Sequence, residues 1–196
     1  MDKRTIAVFD FDGTLTTKDT LLEFIKFSCG ARRFYMGFLL HAPLLLLMKL
    51  HLYDNGKAKE RVFRYFFHGW RYADFKNMGQ CFADRVEQFK RTDMLSRLLQ
   101  HQAQGDEIYV ISASVPEWVA PWCSRYGVSH VLGTGIEVSA DGIVTGRFTT
   151  PNCYGPEKVR RLLFAEPDRA AYCLYAYGDS RGDRELLTFA DEGQLV

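Results

Sequence analysis

The sequence lacks the features that define several specialised classes of protein. Its five cysteines are odd in number and scattered, and no two form a C-x-x-C pair, which argues against a disulfide scaffold or zinc site and favours a reducing compartment. The net charge of +1 argues against a nucleic-acid-binding protein. No internal repeat or low-complexity tract is visible. What remains is a globular chain of 196 residues, long enough for one sizeable core and a smaller appendage.

An apolar run near the N-terminus ends in two acidic residues. Residues 6–9 read Ile-Ala-Val-Phe, which predicts a short buried strand of a parallel sheet. Asp10 and Asp12 follow, and side chains that alternate along an extended chain place both carboxylates on the same side. Gly13 allows a turn whose N–H groups can face an oxyanion. The pattern predicts a charged site at the end of a strand. A strand followed by an ordinary Asp-Gly turn is the alternative interpretation, because it has the same sequence pattern.

Three later segments also carry polar residues at the ends of predicted elements. The apolar run 108–111 delivers Ser112, Lys158 stands near the start of a predicted helix, and a third strand-like run ends just before Asp179 and Asp183.

Three of these residues have structural interpretations as well. Asp183 can be an acidic residue favoured by the dipole at a helix N-terminus. Ser112 can cap the helix that follows it, although Ser114 fits that position better. Lys158 has basic neighbours, a pattern typical of a solvated helix face.

In their order along the chain, the four segments resemble the motifs of the haloacid dehalogenase-like phosphohydrolases. Residues 9–16 (FDFDGTLT) are similar to the first motif of that family residue for residue. The resemblance implies an α/β fold, with a Rossmann-like parallel sheet core and a helical cap inserted after the first strand, as in the phosphoserine phosphatase-like branch. It also implies an enzyme, a phosphatase that hydrolyses phosphomonoesters.

The resemblance assigns chemical roles to the acidic residues. Asp10 would attack phosphorus and form an aspartyl-phosphate, while Asp12 would protonate the leaving alcohol and later activate water. Groups that would bind the phosphoryl oxygens lie at Phe11, Gly13, Ser112 and Lys158. The implied cofactor is Mg²⁺, which prefers oxygen ligands. Its expected ligands are Asp10, the backbone carbonyl of Asp12, Asp179 and Asp183, the last directly or through water.

The order of predicted elements indicates an insertion. Strand and helix patterns of an α/β core occupy residues 1–16 and resume over 91–196, whereas residues 17–90 show only long helical patterns. We therefore expect a discontinuous catalytic core (1–16 and 91–196) and an all-helical cap (17–90).

A small hairpin is expected within the second core segment. The runs 131–138 and 143–148 flank Asp141-Gly142, a two-residue sequence typical of a β-hairpin turn. The chain ends at Val196, where a last core strand would be forming, which leaves open whether the C-terminus is truncated. At the other end, we expect no cleavable signal peptide, because its removal would also remove the strand that carries Asp10.

The small net charge conceals an uneven distribution. Residues 17–90 carry thirteen Lys/Arg against seven Asp/Glu, a net +6, and the rest carries twelve against seventeen, a net −5. A basic cap over an acidic core suits an anionic substrate and a metal. We expect the following basic residues to form a stripe on one helix face, a pattern also typical of a solvated surface: Lys57, Arg61, Arg64 and Arg71.

Residues 34–52 (FYMGFLLHAPLLLLMKLHL) are apolar on nearly every side. Such a helix is either deeply buried or in contact with lipid, and Pro43 is expected to divide it into two shorter helices. One interpretation is a surface that meets lipid, an acyl chain or a partner subunit, with flanking basic residues at the headgroups. The core of the cap is the second, and a membrane-spanning helix is the least favoured.

Two motifs depart from phosphoserine phosphatases, which tend to have Ser-Gly-Gly and Asp-Gly-Ala-Asn-Asp where this chain has residues 112–114 (SAS) and 179–183 (DSRGD). Residues 152–155 (NCYG) before Lys158, and residues 178–180 (GDS), look more like the phosphoserine phosphatase-like relatives that include a phosphatidylglycerophosphate phosphatase. A lipid phosphomonoester is therefore the first substrate hypothesis, and a small soluble ester such as phosphoserine or glycerol phosphate is the second. A catalytically idle binding module is the third, and Asp12 disfavours a dehalogenase. The expected location is the cytoplasm, with peripheral contact at the inner face of a membrane through residues 34–52; the oligomeric state stays open.

Overall fold

The computed structural model describes residues 3–196. The strands in chain order are β1 (Arg4–Phe9), β2 (Glu107–Ile111), β3 (His130–Leu132), β4 (Ile136–Val138), β5 (Val144–Phe148), β6 (Tyr172–Gly178) and β7 (Glu192–Leu195). The helices are α1 (Thr20–Cys29), α2 (Ala31–Lys49), α3 (Asn55–Phe67), α4 (Tyr72–Val86), α5 (Thr92–Ala103), α6 (Pro116–Arg125), α7 (Pro156–Ala165) and α8 (Arg184–Phe189). Short 3₁₀ turns connect some of them.

The core is a five-stranded sheet in the order β3-β2-β1-β6-β7, in which every neighbouring pair is parallel. Ala7 and Phe9 on β1 pack into one hydrophobic cluster, and Ile6 and Val8 pack into another on the opposite face. This alternation explains the continuous apolar run, because a parallel strand covered on both faces has no polar side. The expected α/β fold with a parallel sheet is confirmed.

Helices α1 to α4, called the helical insertion below, lie in the chain between β1 and β2. Its aromatic side chains share one hydrophobic core with the sheet side of the molecule. The ring of Phe24 stacks on Trp118 of α6 at 4.7 Å between centroids, and Phe75 and Phe82 pack against Phe24. The insertion is therefore joined to the rest of the protein by buried aromatic contacts rather than by its two connections alone.

Helix α2 differs from the other helices of the insertion, because Gly37 is its only buried residue. The expected division at Pro43 is wrong, since α2 runs without a break from Ala31 to Lys49. Pro43 removes a helical hydrogen bond to the carbonyl of Leu39. Both residues are exposed, so water can bind that carbonyl and the cost of the proline is reduced. No helix within residues 3–196 is long and apolar enough to cross a membrane.

Two smaller expectations also need correction. The run 131–138 is not one strand: β3 belongs to the parallel sheet and β4 pairs with β5 in the expected antiparallel hairpin. The basic stripe holds only Lys57, Arg61 and Arg64, because α3 ends at Phe67 and Arg71 lies at the start of α4. The last core strand near the C-terminus is formed, with β7 pairing against β6.

Candidate active site

The polar residues predicted from the sequence gather at one edge of the sheet. Phe9 lies opposite both Val110 and Tyr177 in the strand register, so β1, β2 and β6 end at the same level. The residues that follow these three ends, Asp10, Ser112 and Asp179, line one cavity of about 540 Å³. This is the edge at which open parallel sheets bind ligands.

Two carboxylates that line the cavity, Asp10 and Asp179, lie beside a third, buried carboxylate, Asp183. One oxygen from each of Asp10, Asp179 and Asp183 lies within 4.8 Å of the others. Oδ1 of Asp179 is buried and has no hydrogen-bond partner within residues 3–196. An orphaned carboxylate oxygen beside two further carboxylates suits a hard divalent cation, which binds oxygen ligands. The donor set therefore fits a magnesium ion.

The turn after β1 brings the backbone close to this cluster. Gly13 has a φ of 85°, and a Cβ atom added to it would lie 2.0 Å from Oδ2 of Asp179. Only glycine combines this conformation with so close an approach. The carbonyl of Phe11 accepts hydrogen bonds from the N–H groups of Leu15 and Thr16 and closes the turn, while the ring of Phe11 is buried against Trp122.

Lys158 lies between two of the three carboxylates. Its Nζ donates to Oδ1 of Asp10 at 2.6 Å and to Oδ1 of Asp183 at 2.5 Å, and the residue is almost completely buried. Burial disfavours its charge, yet the two carboxylates raise the pKa of Lys158 above its ordinary value. Burial also raises the pKa of Asp10 to about 7, and Lys158 acts in the opposite direction. Positive charge at this position favours the ionised form of Asp10.

Asp12 is not part of the carboxylate cluster, because its side chain is bound by four donors on another side. Oδ1 accepts from the N–H of Thr20 at 2.6 Å and from its hydroxyl at 2.5 Å. Oδ2 accepts from the hydroxyl of Ser114 at 2.5 Å and from that of Ser112 at 3.4 Å. The first turn of α1 and the loop after β2 thus fix the orientation of this carboxylate.

The expected capping role of Ser114 is wrong. Val115 occupies the N-cap position of α6, and no side chain caps that helix. Pro116 at the first helical position already places the N-cap at residue 115, a signal in the sequence that points against Ser114. Ser114 contributes to the site instead, and its N–H donates to the hydroxyl of Ser112 at 3.0 Å.

Asp183 lies at a helix N-terminus, as its structural interpretation predicted, and it also contacts a residue of the site. Its Oδ2 accepts from the N–H and the hydroxyl of Ser180, which forms a capping box at the 3₁₀ turn Arg181–Asp183. Its Oδ1 accepts from Lys158. The cap holds the carboxylate in place, so the 3₁₀ turn and Lys158 use different oxygens of one side chain.

The cavity also has a second, largely apolar side that the sequence did not predict. We call the residues at the strand ends and on α7 the sheet wall, and those contributed by α1, α2 and α3 the helix wall. The apolar part of the helix wall consists of Leu21, Leu22, Phe38, Leu45, Met48 and Val62.

One basic residue, Lys59 of α3, joins the apolar helix wall. Its Nζ donates to the carbonyl of Ala113 at 2.8 Å. In the sequence, Lys59 stands three and four residues before Val62 and Phe63, which places a lysine on the buried face of an amphipathic helix. That mismatch is the signal by which it could have been found.

Comparison with known proteins agrees with this geometry. The sequence model of the haloacid dehalogenase-like hydrolase family matches residues 7–188. Protein CicA of Caulobacter vibrioides (strain NA1000/CB15N) is 34% identical over 192 residues, which cover 95% of this chain and 83% of CicA. Phosphoserine phosphatase SerB1 of Mycobacterium tuberculosis (strain H37Rv) is 30% identical over 198 residues, which cover 96% of this chain and 63% of SerB1.

A solved structure supports the same fold. A protein of unknown function from Bordetella pertussis Tohama I superposes with a TM-score of 0.80 at 23% identity, covering 95% of this chain and 87% of that protein. The chain belongs to the haloacid dehalogenase-like hydrolases. Within that family it is a phosphatase, as the resemblance implied. The finer similarity to a phosphatidylglycerophosphate phosphatase stays a prediction.

Proposed function

We propose that this phosphatase is a Mg²⁺-dependent phosphomonoester hydrolase that works through an aspartyl-phosphate on Asp10 and acts on a lipid phosphomonoester. In this proposal, residues 17–90 form a cap over a catalytic core made of residues 1–16 and 91–196. The observation that carries the proposal is the cavity itself, which joins a charged sheet wall to an apolar helix wall.

The sheet wall supports two-step hydrolysis. Asp10, at the end of a rigid buried strand, is the nucleophile, and its covalent intermediate divides one difficult hydrolysis into two easier steps. Asp12, whose orientation is fixed by Thr20 and Ser114, protonates the leaving alcohol and then takes a proton from the attacking water.

Lys158 and Ser112 bind oxygens of the transferring phosphoryl group in this mechanism, with backbone N–H groups near Phe11 and Gly13. Lys158 is already charged and buried beside Asp10. A donor that is fixed before the reaction stabilises the transition state without reorganisation.

Asp10, Asp179 and Asp183 would hold the magnesium ion, together with the backbone carbonyl of Asp12. The ion would supply positive charge that offsets the repulsion between a carboxylate nucleophile and a phosphate dianion. The orphaned oxygen of Asp179 and the Asp10–Asp179–Asp183 spacing support this assignment.

The helix wall supports a substrate with an apolar part. Phe38, Leu45 and Met48 present one side of α2 to the cavity. The rest of the helix exposes large apolar side chains, among them Leu39 at 77% and Leu40 at 66%. Exposed apolar clusters of this kind mark interaction surfaces. A helix that contributes to the cavity and also exposes leucines can carry an acyl chain from a lipid surface into the site.

Charge at the ends of α2 supports contact with an anionic membrane surface. Arg32 and Arg33 precede the apolar stretch and Lys49 closes it, and all three are exposed. Basic side chains beside an apolar surface can reach lipid headgroups while their stems lie along acyl chains. We therefore place the protein in the cytoplasm, in peripheral contact with the membrane through residues 34–52.

Phosphate release from a panel of esters, with and without Mg²⁺, tests the proposal. The panel sets phosphatidylglycerophosphate and lysophosphatidate in detergent micelles against phosphoserine and glycerol phosphate in solution. We expect phosphate to be released faster from the two lipids than from the two soluble esters. This activity should require Mg²⁺ and be lost in Asp10→Asn. A lead for phosphoserine would favour the activity for which SerB1 is named and overturn the lipid assignment. Release from none of them would overturn the proposal and favour a binding module.

A further inference from the structure

Three lysines line the cavity, and they differ in their partners. Lys18 is exposed and pairs with Glu23. Lys158 on the sheet wall pairs with two carboxylates. Lys59 on the helix wall donates to a backbone carbonyl, that of Ala113, and no carboxylate lies within salt-bridge distance of it in the part of the chain that the structure describes. An ammonium group has three donors, so a carbonyl satisfies only part of its capacity.

The surroundings of Lys59 are unfavourable for an unpaired charge. Burial lowers the pKa of Lys59, and Asp12 and Asp19 act in the opposite direction without forming an ion pair. Its neighbours on α3 are the buried residues Ala58 and Val62. Lys59 is partly exposed and lines the cavity, so its remaining N–H donors are available to a negatively charged partner. An anion that enters the cavity would be that partner.

The position of Lys59 relative to the reacting groups is fixed by one loop. Its acceptor, Ala113, stands between Ser112 and Ser114, whose hydroxyls both contact Oδ2 of Asp12. Asp12 is the proposed proton donor to the leaving alcohol. Lys59 therefore contacts the loop that orients the proposed proton donor to the leaving alcohol.

We propose that Lys59 is a substrate-binding residue that selects phosphomonoesters whose alcohol carries a second anionic group, such as a phosphodiester or a carboxylate. The inference rests on the proposed phosphatase function and specifies its substrate class. The reacting phosphate binds at the sheet wall, the second anion at Lys59, and any acyl part along the apolar residues of the helix wall.

Matched substrates separate this role from a general contribution to catalysis. Phosphooxyalkanoates of increasing chain length carry a carboxylate at the end of the alcohol, and the corresponding alkyl phosphates lack it. We expect the wild-type protein to prefer the best phosphooxyalkanoate to its alkyl phosphate by about 10- to 100-fold in kcat/KM, the range of a charged hydrogen bond. Lys59→Met should abolish this preference, mainly through KM, and lower kcat/KM for the phosphooxyalkanoate far more than for the alkyl phosphate.

Two further variants serve as controls. Lys57→Met removes an exposed lysine two residues away on the same helix and should leave both substrates unchanged. Lys59→Arg keeps the charge and should retain part of the preference, which shows that positive charge at this position supports it.

A binding measurement gives a readout that does not depend on turnover. Calorimetry with phosphonoalkanoates and alkylphosphonates should show the same preference in the wild type and its loss in Lys59→Met. Equal losses on both substrate types, or an unchanged preference, would overturn the inference and leave the phosphatase function intact. A wild type that hydrolyses neither substrate type would instead overturn the proposed function on which the inference rests.

Discussion

The two walls of the cavity are built in different ways. On the sheet wall, Asp10 and Asp179 follow buried strands, Lys158 lies near the start of α7, and Asp10 and Lys158 are held by a direct ion pair. On the helix wall, α2 has one buried residue and exposes most of its leucines. Rigid strand ends suit chemistry that needs fixed distances, whereas a lightly packed helix suits recognition of a variable apolar group. In our account the sheet wall determines the reaction and the helix wall determines the substrate.

The largest expected effect comes from breaking the sheet wall at its nucleophile. Asp10→Asn should lower kcat at least ~1,000-fold on every substrate, lipid or soluble, because the amide cannot form the covalent intermediate. Phosphate release measures it, and Asp74→Asn, an exposed acid on α4, is the control. A loss confined to lipid substrates would contradict the division between the walls.

Removal of the orphaned carboxylate should separate metal binding from folding. At a Mg²⁺ concentration about 100 times the Kd, the wild type should gain about 2.7 kcal/mol of stability, seen as a rise in Tm. Asp179→Asn should lose this gain while it folds normally without the metal. An equal gain in the variant would show that the ion binds elsewhere.

Substitution of the exposed leucines of α2 should affect only the helix wall. Leu39→Gln with Leu40→Gln should lower activity on micellar lipid phosphate and binding to anionic vesicles, because apolar area that contacts lipid is removed. Hydrolysis of glycerol phosphate should not change, and stability should stay within about 0.5 kcal/mol, as for other exposed positions. Full lipid activity in this variant would refute the role of α2.

The docking of α2 on α3 can be loosened at one position. A Cβ atom at Gly37 would lie 2.3 Å from Cζ of Phe66, so Gly37→Val should cost about 1–3 kcal/mol through overpacking. Activity on lipid should fall more than activity on soluble esters. Ala42→Val, at an exposed position of the same helix, provides the matched control, and urea unfolding measures both.

The smallest expected effect concerns the contact between the insertion and α6. The hydroxyl of Tyr72 donates to Glu117 at 3.0 Å, and burial raises the pKa of Glu117 above its ordinary value of 4.5. The folded state therefore binds this proton more tightly than the unfolded state, and the free energy of unfolding falls as pH rises from about 4.5 through the folded pKa. Glu117→Gln should make the free energy of unfolding less dependent on pH over this range, as measured by urea unfolding at several pH values. An unchanged pH profile would contradict the assignment.

The sheet wall was largely predictable from the sequence because its signals are local. Asp10 stands two residues from Asp12 and directly after the strand that positions it, and strand register brings Ser112 and Asp179 to the same edge. The capping interpretation of Ser114 overlooked the local signal of Pro116. What its hydroxyl binds instead, a carboxylate 102 residues away, is a contact that no local rule contains.

The helix wall was less predictable because packing between helices decides it. Lys57 and Lys59 are two residues apart, so they lie about 200° apart around the helix and on different faces. The predicted basic stripe included Lys57 and the basic residues on its face, and it therefore left Lys59 out. Pro43 was expected to break α2, but exposure of this helix to solvent makes an unbroken proline-containing helix tolerable. Burial of α3 and exposure of α2 are tertiary outcomes, which helical periodicity alone does not fix.

The most direct test of the account is the dependence of kcat/KM on chain length for a series of alkyl phosphates, from butyl to dodecyl, kept below micelle-forming concentrations. Each methylene buried against the helix wall should raise kcat/KM, by at most about fourfold, the equivalent of about 0.8 kcal/mol. We predict a rise with chain length in the wild type that is weaker in Gly37→Val. A flat series would show that the apolar wall does not contact the substrate and would contradict the account.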